Sequence, residues 1–249
     1  MSLRTVIGAA LIGLCLSFTS VFAAEPPSTE SVQQSLDKIA DRKLPEADQK
    51  ALQQVLEQTL AFLSSRDDYS KRLAALKQQL ADAPRLTTES QRELARLSAT
   101  KPVPVAQRYA NQTVPQLEQL LSQRTTEQGD LQKSLSEANS LIINSQTRPE
   151  RAQSEISLNQ TRSQQINTTL KLGKDGSKSL SADQRNQLNA ELASLSALTL
   201  LRRQELAGNS LLQDLGNAQH DLLMERAARL EQEIQDLQTL INEKRLAQS

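Results

Sequence analysis

Apolar side chains recur at helical spacing along the chain from about residue 28 onward. The clearest stripe alternates by four and three residues over nearly three heptads and comprises Leu223, Ala227, Leu230, Ile234, Leu237 and Ile241. This spacing predicts a coiled-coil seam on one face of a helix. Charged residues surround the seam and are interpreted as a solvated or interhelical charge face, namely Glu225, Arg226, Arg229, Glu231, Glu233 and Lys244.

Earlier stripes have the same character. A short one comprises Val32, Leu36 and Ile39, and a longer one comprises Leu52, Leu56, Leu60, Leu63, Leu73, Leu76 and Leu80. A third occupies a heptad grid with Leu117, Leu121, Leu131, Leu135, Ala138 and Ile142. Arg124 and Gln128 fall on that grid too, where polar residues weaken a seam but can specify its register.

Proline, glycine and capping residues predict where these helices end. Two prolines, Pro102 and Pro104, interrupt the helical pattern most clearly. Ser181 and Gln184 have the spacing of a capping box, which predicts a helix start there. The corners are predicted near residues 44–45, 84–88, 101–113, 147–149, 173–180 and 208–210. Rods folded antiparallel at these corners predict an all-α fold, an elongated antiparallel helical bundle or coiled coil.

Composition supports rods over a thick globular core. The 249 residues include five aromatic side chains, no Trp, one His and one Cys, with 29 basic and 29 acidic residues. So few aromatic rings argue against a large α/β enzyme. A balanced charge argues against a nucleic-acid partner, since that binding needs an excess of Lys and Arg.

The N-terminus is predicted to be a signal peptide, residues 1–23. Arg4 precedes an apolar run bounded by residues 19–23 (TSVFA), an order that matches the charged, apolar and cleavage regions of a secretory signal, and cleavage is predicted after Ala23. A retained membrane anchor is the alternative, but the run is shorter than a bilayer span. Lipid attachment at Cys15 is a weaker alternative, because Leu14 rather than a small residue precedes it. Cleavage would leave a mature chain, residues 24–249, without cysteine and therefore without disulfides.

The search for chemistry finds no catalytic, cofactor-binding or metal-binding residue to nominate. His220 is the only histidine and is interpreted as a surface residue. The segment 173–179 has the wrong glycine spacing for a phosphate loop and is interpreted as an interhelical loop. Asp67–Asp68 and the Glu231/Glu233 pair do not face each other on a helix, and we interpret them as solvated charges. The chain is predicted not to be an enzyme.

Three short blocks resemble a known family. They are residues 147–153 (TRPERAQ), residues 205–215 (ELAGNSLLQDL) and residues 241–245 (INEKR). With the exported N-terminus and the Leu/Gln-rich helices, they resemble the N-terminal periplasmic, porin-like helical domain of large MscS-family mechanosensitive channels of the MscK (KefA) type. The resemblance extends over essentially the whole chain.

The resemblance implies a longer inner-membrane protein of a Gram-negative bacterium, with transmembrane and pore domains after Ser249. Such channels are homo-oligomers that open under membrane tension and release solutes on osmotic down-shock. This segment would be a periplasmic appendage that shapes assembly or modulates gating and does not conduct by itself. Its partners would be the rest of the channel polypeptide and the inner membrane, with any further envelope partner unidentified.

Two alternatives remain open. The helical stripes alone are compatible with a free periplasmic coiled-coil scaffold or adaptor protein of the cell envelope. Export alone is compatible with an envelope enzyme such as a peptidoglycan hydrolase, which would need a concave polar site.

Overall fold

The computed structural model describes residues 24–249, so the predicted signal peptide, residues 1–23, lies outside the described residues. Three long helices dominate, and shorter elements precede or connect them. In chain order the elements are α1 (Thr29–Asp37), a 3-10 turn (Ile39–Arg42), α2 (Glu46–Ala99), α3 (Val105–Arg108), α4 (Val114–Leu172), β1 (Lys174–Asp175), β2 (Lys178–Ser179) and α5 (Ala182–Gln248). The prediction of an all-α elongated bundle is confirmed.

Helix α5 is the central element of the rod. Its 67 residues span about 100 Å at 1.5 Å per residue. Helix α4 packs against it in the antiparallel direction and helix α2 in the parallel direction. In the described part of the chain, no Cα atom of α2 comes within 8 Å of a Cα atom of α4. The two outer helices are therefore joined to each other chiefly through α5.

Three apolar clusters lie along the rod. The first comprises Val32, Leu56, Leu63 and Ala190, the second comprises Leu76, Leu80, Leu201 and Leu212, and the third comprises Val105, Leu117, Leu237, Leu240 and Ile241. Each fully buried aliphatic side chain contributes roughly 1.5–3 kcal/mol to the free energy of folding. The bundle is thus stabilised in layers rather than around one wide core.

The predicted stripes lie on the packed faces of their helices. On α4, the grid residues Leu117, Leu135 and Ala138 are buried, and Arg124 is half-buried between them. On α5, the seam residues Leu230, Leu237 and Ile241 are buried and the remaining three are half-buried. The periodicity therefore identifies which faces of α4 and α5 meet.

Two of the predicted corners are wrong because their prolines lie inside helices. Pro84 belongs to α2 and Pro149 to α4. An internal proline costs a helix about 3 kcal/mol, since one hydrogen bond is lost and the ring meets the preceding turn. Packing next to each proline offsets that cost, because Ala83 is 0% exposed and Ala152 is 1% exposed. Long helices held by a neighbour therefore run through residues 84–88 and 147–149.

The predicted corner at residues 208–210 is also wrong. Gly208 and Asn209 lie in the middle of α5 and make interhelical contacts. Gly208 is buried against the side chain of Leu80, and the Asn209 amide donates a 2.8 Å hydrogen bond to the Ser145 carbonyl. Residues that resemble a helix terminator in the sequence therefore serve here to bring α5 close to its neighbours.

The chain does leave the helical conformation around residues 43–45, 100–113 and 173–181, although α3 lies within the second of these. Gly173 ends α4 with a φ of 67°, the left-handed conformation that glycine adopts most readily. A two-stranded hairpin, in which Lys174 pairs with Ser179, then reverses the chain. The predicted capping box opens α5, with Gln184 N–H donating to Ser181 Oγ at 3.2 Å and Ser181 N–H donating to Gln184 Oε1 at 2.9 Å.

Candidate functional site: the connection clamp

The segment that connects α2 to α4, residues 100–113, is fastened to the C-terminal third of α5. We call these contacts the connection clamp. Its apolar floor contains Val105 from α3, Leu117 from α4 and Leu237 from α5, which are at most 5% exposed. Tyr109 packs against this floor from the connection itself. The floor is the third apolar cluster of the rod, and it attaches the connection to α5.

Glu233 on α5 is the centre of the clamp. Its Oε1 atom accepts hydrogen bonds from the Tyr109 hydroxyl at 3.0 Å and from Arg124 Nε at 3.1 Å, and Arg108 Nη1 forms an ion pair with it at 3.4 Å. The Glu233 side chain is 18% exposed, so solvent screens these contacts only in part. Because one carboxylate pairs with α3 and accepts hydrogen bonds from the C-cap residue of α3 and from α4, it joins three consecutive pieces of chain to α5. Charge-assisted hydrogen bonds of this kind are stronger than neutral ones.

Arg124 reaches Glu233 because it occupies a seam position of α4. A polar residue there points toward α5 instead of into solvent, and its guanidinium also donates to Glu127 at 2.7 and 2.9 Å. Hydrogen bonding with Tyr109 and Glu127, together with the charge of Glu233, raises the pKa of Arg124. Arginine is charged at any physiological pH, so Arg124 is a fixed positive charge at the seam.

Basic residues of α5 hold the two ends of the connection. Lys244 Nζ donates to the carbonyl oxygens of Ala110 at 2.7 Å and Gln112 at 2.8 Å. Arg229 donates to the Leu97 carbonyl in the last turn of α2. Arg229 thus adds a second donor to the Leu97 carbonyl, which also accepts from the Thr100 N–H, and Lys244 pairs with two carbonyls of the connection itself. The exit from α2 and the entry to α4 are therefore both attached to α5.

A further ion-pair group lies about two turns before the end of α2. Glu93 accepts hydrogen bonds from Arg96 at 2.9 and 2.7 Å, and Arg226 of α5 lies 3.6 Å from the same carboxylate. Hydrogen bonding to Arg96, with the charges of Arg96 and Arg226, lowers the pKa of Glu93 to about 2. Glu93 thus stays ionised well into the acid range.

The sequence predicts that Asp67, Asp68, Glu231 and Glu233 are solvated charges, and this prediction is wrong only for Glu233. The side chains of Asp67 and Asp68 are exposed, and Glu231 is exposed as well. Glu233 is instead the acceptor in the clamp, so it is not a solvated charge. His220 lies on α5 with its side chain 31% exposed and its Nδ1 atom 3.5 Å from Asp221.

The clamp attaches the connection to α5 through ion pairs and hydrogen bonds. Its members are a carboxylate, guanidinium groups, a phenol and backbone carbonyls, all occupied with one another. Within residues 24–249, no group of three or more His, Cys, Asp or Glu side chains is arranged to hold a metal ion. No helix in the same range is both long and apolar enough to cross a membrane.

Comparisons with known proteins agree with the resemblance seen in the sequence. Residues 35–249 match the family described as the mechanosensitive ion channel porin domain. The chain is 31% identical over 221 residues to the mechanosensitive channel MscK of Escherichia coli (strain K12), an alignment that covers 88% of this chain and 20% of the relative. The chain thus spans about one fifth of that relative's length. No solved structure matches it. The chain belongs to the mechanosensitive ion channel porin domain family.

Proposed function

We propose that this chain is a periplasmic, non-catalytic helical domain of a mechanosensitive channel, which shapes assembly or modulates gating and does not conduct by itself. Its family membership supports a place in a channel protein. The observation that carries the proposed role is the rod itself: α5 spans about 100 Å without a break, and both outer helices are fastened to it. Export through residues 1–23 would place the rod in the periplasm.

In this proposal the rod moves as one body. Ion pairs and apolar layers recur along α5, from the Ala190 level near the hairpin to the clamp at Glu233. A displacement imposed at one end is carried to the other by continuous helix rather than by loops. A stiff domain of this kind would change the tension at which the channel opens, because it resists or transmits displacement of the parts that sense tension.

Assignment to a channel protein also implies the partners of this domain. The domain would be attached to the rest of a channel polypeptide in the inner membrane of a Gram-negative bacterium, and would function in a homo-oligomer. In that setting the rods of neighbouring subunits are brought to a high local concentration, which favours weak contacts between them.

The test compares channels with and without the rod. A strain lacking the gene is complemented with the intact gene, with a version lacking codons 24–249, or with a version carrying Glu233→Gln. We expect the deletion to change survival on osmotic down-shock and the tension threshold in patch-clamp recordings, while the unitary conductance stays unchanged. Glu233→Gln should shift the threshold in the same direction by less, and Glu231→Gln on the exposed face should leave it at the wild-type value.

Three results would contradict the proposal. One is an unchanged threshold together with unchanged assembly after deletion of the rod. Another is tension-activated current from the purified chain reconstituted alone in a planar bilayer. A third is unchanged down-shock survival in a strain lacking the gene, which would favour the free periplasmic scaffold or adaptor instead.

A further inference from the structure

A cavity of about 220 Å³ lies halfway along the rod, where all three long helices meet. We call it the arginine cavity. It receives residues from α2, α4 and α5, namely Arg72, Asn144, Thr147, Arg148, Arg151, Ala152, Arg202 and Glu205. The lining therefore contains four arginines and one acidic residue. The backbones of α2 and α4 stay more than 8 Å apart between Cα atoms, but side chains from both helices line this cavity.

Only one of the four arginines is well compensated. Arg202 donates to Glu155 and, at 2.9 and 3.0 Å, to Glu205. Arg72 lies 3.9 Å from Asp68, which is too long for a hydrogen bond, and its guanidinium sits 5.9 Å from the Tyr69 ring centre.

The other two arginines come from one turn of α4. In residues 24–249, neither Arg148 nor Arg151 has an acidic side chain within 4.0 Å of its guanidinium. Arg148 is half-buried, whereas Arg151 is exposed at the mouth. Two arginines of α4 without an acidic partner therefore lie beside Arg72 of α2, and an anion in the cavity would relieve their mutual repulsion.

We propose that the arginine cavity binds a phosphoryl group, supplied either as free phosphate or a soluble phosphate ester, or as a phospholipid headgroup. Guanidinium groups match phosphate oxygens in charge and hydrogen-bond geometry. The donors come from three helices around a cavity, an arrangement that suits a tetrahedral group with oxygens in several directions better than a planar carboxylate. Thr147 and Asn144 add a hydroxyl and an amide to the same lining.

Occupation of the cavity has a structural consequence. A phosphoryl group that accepts from Arg72 on α2 and from Arg148 or Arg151 on α4 bridges the two outer helices directly. The apolar layers fasten each of those helices to α5 and not to the other. The ligand would therefore make the middle of the rod stiffer than the protein alone makes it.

Binding is tested on the purified full chain with inorganic phosphate as the probe. Titration calorimetry and the midpoint of thermal unfolding are followed as phosphate replaces chloride at constant ionic strength. We expect saturable binding and a rising midpoint. Arg148→Gln/Arg151→Gln should weaken binding at least tenfold, because charge-assisted hydrogen bonds are lost. The matched control is Arg92→Gln/Arg203→Gln, which removes the same charge from exposed sites elsewhere and should bind like the parent.

Two further arms complete the test. Arg72→Gln alters a different helix, so it reports on the cavity even where the double variant fails to fold, as judged by circular dichroism.

Sedimentation with phosphatidylglycerol or phosphatidylcholine vesicles identifies the source of the phosphoryl group. Arginine-dependent binding to phosphatidylglycerol vesicles alone assigns a lipid headgroup, and binding of inorganic phosphate assigns a soluble ligand. The proposal is overturned by the absence of saturable binding in both arms, or by equal losses in the cavity and control variants.

Discussion

Gly208 of α5 lies against the side chain of Leu80 of α2. A Cβ atom built on Gly208 would come within 2.4 Å of both δ-carbons of Leu80, whose side chain is 8% exposed. No heavy-atom contact of that length is tolerated, so any larger residue would push the helices apart or force Leu80 from its rotamer. The absence of a side chain at residue 208 therefore lets the Leu80 side chain pack directly against the backbone of α5.

Replacing Gly208 with Ala should destabilise the rod. Ala is a better helix former by about 1 kcal/mol, but overpacking a tight contact costs typically 1–3 kcal/mol, so we expect a net loss of up to about 2 kcal/mol in the free energy of unfolding. The matched control is Gly129→Ala on α4, where nothing lies within 4 Å of the added carbon. That change should stabilise the protein by about 0.5–1 kcal/mol. Urea unfolding measures both, and a Gly208→Ala protein as stable as the Gly129→Ala protein would contradict the packing explanation.

Glu233→Gln should loosen the connection clamp. The amide keeps the shape of the side chain but loses the charge that Arg108 and Arg124 share, which costs about 1–3 kcal/mol for a partly buried acceptor. Hydrogen exchange should increase at the amides of residues 105–113 before the rest of the rod is affected. Glu231→Gln, two residues away on the exposed face, should stay within about 0.5 kcal/mol of the parent. Equal effects of the two substitutions would mean that Glu233 acts only through the net charge of α5.

Glu93 should make the stability of the rod fall in acid. Its pKa is about 2 in the folded state, against an ordinary value of 4.5, because Arg96 and Arg226 favour the carboxylate. The unfolded chain therefore binds a proton first, and the stabilisation from Glu93 is complete above about pH 4.5 and is lost as the pH falls toward 2.

Glu93→Gln removes that titration. Its free energy of unfolding should fall less steeply than the parent's between pH 5 and pH 2, and Arg96→Gln should flatten the profile in part by removing the main partner. Chemical unfolding at a series of pH values measures the slopes. A Glu93→Gln profile parallel to that of the parent would show that other carboxylates account for the acid sensitivity.

Pro84→Ala should stabilise α2 without changing its bounds. The substitution supplies an N–H that can donate to the Leu80 carbonyl in the preceding turn, and removes a ring clash, a gain of up to about 3 kcal/mol. Pro104→Ala offers the matched comparison, because Pro104 precedes α3 and no helical hydrogen bond is restored there. Thermal unfolding should show a higher midpoint only for Pro84→Ala. A lower midpoint for that variant would indicate that α2 needs the proline for its curvature.

The sequence predicts the long helices and their packed faces because that information is local. A stripe such as Leu230, Leu237 and Ile241 reports burial through the helical period alone. Prediction fails at Pro84 and Gly208, where local preference and tertiary packing oppose each other. A proline or glycine that costs a helix about 1–3 kcal/mol is outweighed when neighbouring residues are buried against another long helix.

The clamp is visible in the sequence only in part. Arg124 on an apolar grid and Glu233 in a charged face are both recognisable as unusual positions, but they are 109 residues apart. Their contact depends on the register in which α4 packs against α5. Leucine layers of similar size fit several registers, so the sequence does not determine it. Tyr109 has no periodic neighbour in its short connection, so nothing in the local pattern indicates its hydrogen bond.

The position of α5 between its two neighbours constrains how the length of this protein can evolve. Removing a few residues from α5 alone would rotate and shift every layer beyond the deletion relative to α2 and to α4 at once. A change that preserves the layers must add or remove about seven residues, two helical turns, at the same level in all three helices. Variation in rod length is thus expected as coordinated steps of one heptad, with the hairpin and the clamp retained at either end.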